Sequence, residues 1–241
     1  MQLAHPLVAA GVREHSTFRG GPLTAARRLH HTVRAMLALT FGAPAARTAA
    51  LDGIRAIHRR VHGILPTAAG HFSAGTRYSA EDPALVLWVH ATLLESIPLA
   101  YETLVAPLTD AERDHYCVDA GDVAVALGAV PSAVPRDTRS LRRYLSTMYE
   151  SGAIAVGADA RELTAAVLAP PIPLVTGAAA ALNRRVTLGL LPPALRQQYG
   201  FAWDADDARR FDRTVRWVRR ARTATPRMLA TWPEARTRSD R

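Results

Sequence analysis

The sequence predicts an all-α, single-domain protein, and three observations carry that prediction. Ala, Leu and Val are the commonest apolar residues and only 6% of the chain is aromatic. Ala and Leu favour helix. Helix start and stop signals recur along the chain, and no two segments alternate apolar and polar residues as paired strands would. The 241 residues, 49% of them apolar, are enough for one large core. One helical domain is expected over residues 1–232, followed by a charged, flexible tail at 233–241.

The elements follow in order. Leu3 to about Ser16 predicts a first helix, with Pro6 near its start. The chain opens inside that apolar segment, which gives the expectation of a further segment upstream of Met1. Pro22, a good first-turn residue, opens a second helix that runs to Thr40 and stops at Gly42. Pro44 opens a third helix, expected to close at Gly63. A Gly-containing loop then spans Gly63 to Ala80. Asp82-Pro83 is an N-cap followed by an N1 proline, and starts a fourth helix reaching about Val105. Thr109 and Glu112 have capping-box spacing for a fifth, ending before Gly128. Thr138 is expected to cap a sixth that ends at Gly152. Shorter helices are expected at 159–168, 174–189 and 192–198, with the prolines at 170–173 as a turn. A basic amphipathic helix closes the domain at 204–224.

Charge and cysteine content narrow the function classes. The formal net charge is +9, and all 30 basic residues are Arg. They are spread along the chain, which reads as a solvated surface in a GC-biased coding sequence. No specific nucleic-acid partner is expected, and no basic recognition helix follows a helix-turn. The Arg-rich stretch from Arg209 to Arg222 leaves a peripheral membrane contact open. Cys117 is the single cysteine, so internal disulfides and paired-cysteine metal sites are excluded. It is expected to be an inert packing residue. With no secretory signal at the start, a cytoplasmic location is expected. The uncharged run from Leu163 to Asn183 is broken by Pro170, Pro171 and Pro173, and reads as buried chain rather than a membrane span. There is no phosphate-binding Gly-rich loop, no Gly-x-Ser-x-Gly elbow and no His-Glu-x-x-His, so nucleotide enzymes and familiar hydrolases have no support.

The histidines carry what chemistry the chain shows. All nine lie at or before His115. In the third helix Ile54, Ile57, His58 and Val61 share one face, which is expected to be buried. His58 alone suits an axial haem ligand; His58 with His62, one turn on, suits a shared metal ion. The plain alternative is a core histidine satisfied by a backbone carbonyl. The fourth helix is apolar nearly all round, so His90 and Glu95 inside it need partners, either as a structural network or as part of a site. In the second helix Arg28 and Thr32 are four apart on one face. Such a pair can hold a carboxylate or polarise bound dioxygen.

Four segments, taken together, resemble a known family. They are Ala4-His5-Pro6 through Glu14-His15-Ser16; Arg28-x-x-x-Thr32; His58-x-x-Val61-x-Gly63; and Tyr78-Ser79-Ala80 through Trp88-Val89-His90-Ala91-Thr92-Leu93. Leu127-Gly128, Pro135 and Leu190-Leu191-Pro192-Pro193 fit the same pattern. The chain resembles the catalytic domain shared by latex-clearing protein (a bacterial rubber oxygenase) and the fungal MpaB oxygenase, above all its uncharacterised actinobacterial-type members. The resemblance implies a globin-like helical core around haem b. It implies His58 as the iron ligand, with His62 as the alternative. It also implies Arg28 and Thr32 as functional residues and His90 as a supporting residue near the cofactor. The expected activity is a haem b-dependent oxygenase acting with dioxygen on a hydrophobic, unsaturated, lipid-like substrate. The alternatives are a non-haem metalloenzyme built on His58 and His62 with His90 or Glu95, and a non-catalytic haem- or lipid-binding helical protein.

Overall fold

A computed structural model describes residues 1–15, 22–168 and 177–226; the side chains of residues 22–26, 28 and 29 lie outside the description. The proline turn at 170–173 and the tail at 233–241 also fall outside it. Among the described residues the chain forms ten α-helices and one two-stranded ribbon, an all-α single domain as the sequence predicts.

The helices begin where local chemistry starts them. A short 3-10 turn over Gln2–Ala4 precedes α1 (Pro6–His15). The expected first helix is therefore broken at His5. A residue before proline avoids helical angles, and His5 is extended. Its Nδ1 accepts the Leu7 amide at 3.3 Å, which caps α1. Helices α2 (Pro22–Phe41) and α3 (Pro44–His58) form a hairpin across a two-residue turn. In α4 (Pro83–Leu104) the Asp82 carboxylate accepts the Ala84 amide and Pro83 opens the first turn. Thr109 and Glu112 form a reciprocal capping box at the start of α5 (Asp110–Ala126). Asp137, not Thr138, is the N-cap of α6 (Thr138–Glu150), its carboxylate accepting the Ser140 amide at 2.6 Å. Then come α7 (Ala158–Leu168), α8 (Gly177–Leu190), α9 (Pro193–Gln198) and α10 (Ala205–Ala224).

The third helix departs most from expectation. It ends at His58, and the chain then enters β1 (His62–Ile64), which pairs antiparallel with β2 (Arg77–Ser79). Gly63 faces Tyr78 across this ribbon. The Ala80 amide donates to the Val61 carbonyl at 2.8 Å, so Val61 already belongs to the ribbon. Gly63 is therefore a strand residue and not a helix stop.

Helix α4 is the centre of the molecule. Its Trp88, Ala91 and Leu94 pack with Cys117 of α5, Leu141 and Leu145 of α6, Ala160 of α7 and Leu195 of α9. The Trp88 indole donates to the Gln2 carbonyl at 3.1 Å, which ties the N-terminal turn into the same core. Cys117 is a buried free thiol whose pKa burial pushes up to about 11, in keeping with a packing role. Helix α4 is long and apolar enough to cross a membrane by length and composition, yet it is the core helix. On one flank of its C-terminal half Ile97 and Tyr101, one turn apart, stay exposed among the described residues.

Candidate functional site

Three of the four motif segments meet where α1, the ribbon and the start of α4 adjoin. Tyr78 is buried, and its hydroxyl donates to the Glu14 carboxylate in a short hydrogen bond. Burial and that bond push the phenol well above its ordinary pKa. The ring lies over two glycines: a Cβ on Gly11 would stand 3.3 Å from it, and one on Gly63 would stand 2.6 Å from its oxygen. The His15 ring meets the His62 carbonyl through Nε2 at 3.0 Å. These contacts clamp the end of α1 onto β1. In doing so they fix where the C-terminus of α3 emerges, with His58 as its last residue.

His58 is half-buried and Glu81, just ahead of α4, faces it. Burial lowers its pKa below the ordinary 6.5, against the opposing pull of Glu81, so the ring is neutral at pH 7. The face it shares with Ile54 and Ile57 is the one the sequence predicts to be buried. It is not: α3 contains no buried residue, and Ile57 is 54% exposed. The amphipathic stripe is present, but the described chain covers it only in part: Ile54 and His58 are half-buried and Ile57 is exposed. Val61 has left this face for the cluster around Tyr78.

His62 corrects the paired-ligand expectation. It is exposed on β1, so it is not one helical turn beyond His58. Among the described residues no three His, Cys, Asp or Glu side chains converge as a metal cluster, which removes the support for a His58, His62 and His90 or Glu95 site. The reason is the ribbon: helical spacing stops where strand pairing begins.

His90 lies about 10 Å along α4 from its first residue. It is buried, and its Nε2 has no hydrogen-bond partner. Burial lowers its pKa to about 4, against the Ala120 carbonyl, which raises it. Thr32 is exposed on α2. The Arg28 side chain lies outside the described residues, but its backbone position is informative. Counting from the hairpin turn, Arg28 and His58 each lie about 20 Å along their helices, on the same level.

The buried histidines predict a pH response. His5, whose pKa burial and the nearby His71 lower to about 4 against the opposing pull of Asp82, behaves like His90. As pH falls through 6.5 the unfolded chain takes up protons on both rings, while the folded chain resists until about 4. Stability is therefore full above pH 6.5 and falls as pH drops toward 4. The loss should amount to a few kcal/mol, on the order of 1.4 kcal/mol per pKa unit for each ring. Denaturant midpoints measured between pH 7.5 and 4.5 check this. A His90→Gln variant should show a shallower slope, and a flat wild-type profile would contradict it.

The comparison with known proteins gives these residues a context. The family described as ER-bound oxygenase mpaB/B'/Rubber oxygenase, catalytic domain, matches residues 1–220. The chain belongs to that family. It is 29% identical over 216 residues to an uncharacterized protein of Mycobacterium bovis, and equally to one of Mycobacterium tuberculosis. The alignment covers 88% of this chain and 81% of each relative. No solved structure matches. Membership of the mpaB/rubber oxygenase family makes the matched region an oxygenase catalytic domain, and it includes every candidate site residue named above. Within this family member, the Glu14–Tyr78 pair is the feature that sequence reading missed. The two residues stand 64 positions apart, and only the Glu14-His15 and Tyr78-Ser79 motif fragments pointed to them.

Proposed function

We propose that this protein is a haem b-dependent oxygenase that acts with dioxygen on a hydrophobic, unsaturated substrate. The observation that carries the reading is the end of α3. A neutral, half-buried imidazole stands there in an apolar stripe that the described chain covers only in part. An apolar cofactor such as haem b would fit such a face, and His58 would offer the nitrogen lone pair that holds its iron. Arg28, level with His58 across the hairpin, supplies a guanidinium suited to a propionate carboxylate, and Thr32 follows one turn on. His90 keeps a neutral ring with an unpartnered nitrogen inside the apolar interior, which suits a supporting contact to cofactor or substrate.

Bound haem would supply dioxygen binding and oxidation at a carbon–carbon double bond. The chain's own part is axial donation, exclusion of water and orientation. The exposed flank of α4 at Ile97 and Tyr101 suits a hydrophobic substrate wall. A cytoplasmic location belongs to the same proposal, resting on the reduced, buried Cys117.

Dioxygen uptake by the reduced, haem-loaded protein tests the activity, with squalene and its saturated counterpart squalane as paired probes. Uptake with squalene and none with squalane is expected. A haem-loaded protein that consumes no dioxygen with any unsaturated probe would overturn the oxygenase reading in favour of a non-catalytic haem- or lipid-binding protein.

A further inference from the structure

A second site lies away from these histidines, between α8 and α10, and it goes beyond the reading above. The two helices cross where Gly189 receives the Phe211 ring; a Cβ at Gly189 would occupy the ring's place. Beside that crossing they enclose an open groove of about 600 Å³, a size typical of small-molecule sites. Leu182 and Arg185 of α8 and Arg210, Arg213, Thr214 and Trp217 of α10 line it.

The groove's arginines differ from their neighbours. Arg184 is spent on the face of Phe201 and Arg196 on that of Trp203. Arg219 donates to the Glu102 and Thr103 carbonyls at the end of α4, and Arg209 pairs with Asp206. In the groove, Arg185 meets only a hydroxyl, that of Thr214 at 3.2 Å. Thr214 is buried and itself donates to the Arg210 carbonyl at 2.9 Å, so the hydroxyl that accepts from Arg185 is fixed in place. Arg210 forms one ion pair, with Asp207 at 3.7 Å. Arg213 has no ion pair or hydrogen bond among the described residues. Of the three guanidinium groups only Arg210 has carboxylates near it among the described residues, Asp207 and the more distant Asp204.

Next to them Trp217 is 61% exposed, with Leu182 only partly covered. Trp217 and Leu182 set an apolar wall beside the guanidinium groups, which a site for an inorganic anion alone would not need. Guanidinium forks match carboxylate geometry, and the indole and Leu182 match a hydrocarbon chain. We propose that the α8–α10 groove binds an anionic amphiphile, a free carboxylate bearing an unbranched apolar chain, with Arg185 and Arg213 on the carboxylate and Trp217 along the chain. A groove of this volume suits a single such molecule.

Decanoate titrated into the full-length protein without haem tests this, read by calorimetry and by tryptophan emission. Saturable binding of one decanoate per chain is expected, with an emission change that Trp217→Phe removes. Arg213→Gln and Arg185→Gln should each weaken binding at least tenfold. Arg142→Gln, an equal loss of charge on the exposed face of α6, should leave it unchanged. Decanol and inorganic phosphate should each bind at least tenfold more weakly than decanoate. The proposal is overturned if decanoate gives no saturable heat, if decanol or phosphate matches it, or if Arg142→Gln weakens binding as much as Arg213→Gln. Pelleting with phosphatidylglycerol vesicles that depends on Arg213, without decanoate binding, would assign the face to a membrane and overturn it too.

Discussion

Replacing Gly63 with Ala is expected to destabilise the fold by about 2–3 kcal/mol, in the range of overpacked buried sites. The new Cβ would stand 2.6 Å from the Tyr78 oxygen, 2.7 Å from Glu14 Oε2 and 2.9 Å from Tyr78 Cζ. The exposed Glu14 carboxylate can swing away, but the Tyr78 ring cannot. Tyr78 is buried against Leu7, Ala10, Leu65 and Leu85, its ring is also close to Gly11, and its hydroxyl is held by Glu14. The strain must therefore open the ribbon or break the Tyr78–Glu14 bond. Tyr78→Phe alone removes one hydrogen bond and leaves a carboxylate without its donor, a cost of about 1–3 kcal/mol. In the double variant the oxygen that the Ala methyl would strike is gone, so the two costs should sum to more than the double variant shows. A double-mutant cycle by chemical denaturation measures that coupling. Strict additivity would mean that the glycine and the tyrosine do not meet as described.

The second large effect concerns the proposed axial ligand. His58→Ala is expected to abolish haem retention, with the Soret band lost from the purified protein, while His62→Ala keeps it. The fold should survive both changes. His58 is only half-buried at a helix end, and His62 is exposed, with only its backbone carbonyl engaged by His15. Circular dichroism on both variants separates ligand loss from unfolding. Retention of haem in His58→Ala with loss in His62→Ala would move the iron ligand to the ribbon.

Much of the architecture was legible because its signals are local. Asp82-Pro83 starts α4, Thr109 and Glu112 start α5, and Gly152, with φ +76°, follows the end of α6. Each needs only residues within one turn. The all-round apolar pattern of α4 likewise foretold the burial of His90. What failed depends on distant partners. The ribbon joins three residues to three others across the intervening loop, too few to show alternation, so Val61, His62 and Gly63 read as a continuing helix. His58 failed differently. Its apolar stripe is real, but periodicity shows only that a face seeks a partner, not whether the chain supplies one. The Glu14–Tyr78 pair and the α8–α10 groove exist only once the chain has folded.

The most direct measurement is a pyridine haemochrome assay, with oxidised and dithionite-reduced absorption spectra, on the purified full-length protein after equilibration with haem. The account predicts a strong Soret band and about one b-type haem per chain, lost in His58→Ala. No Soret band in the wild-type protein would contradict it, as would iron bound in stoichiometric amount without a porphyrin spectrum.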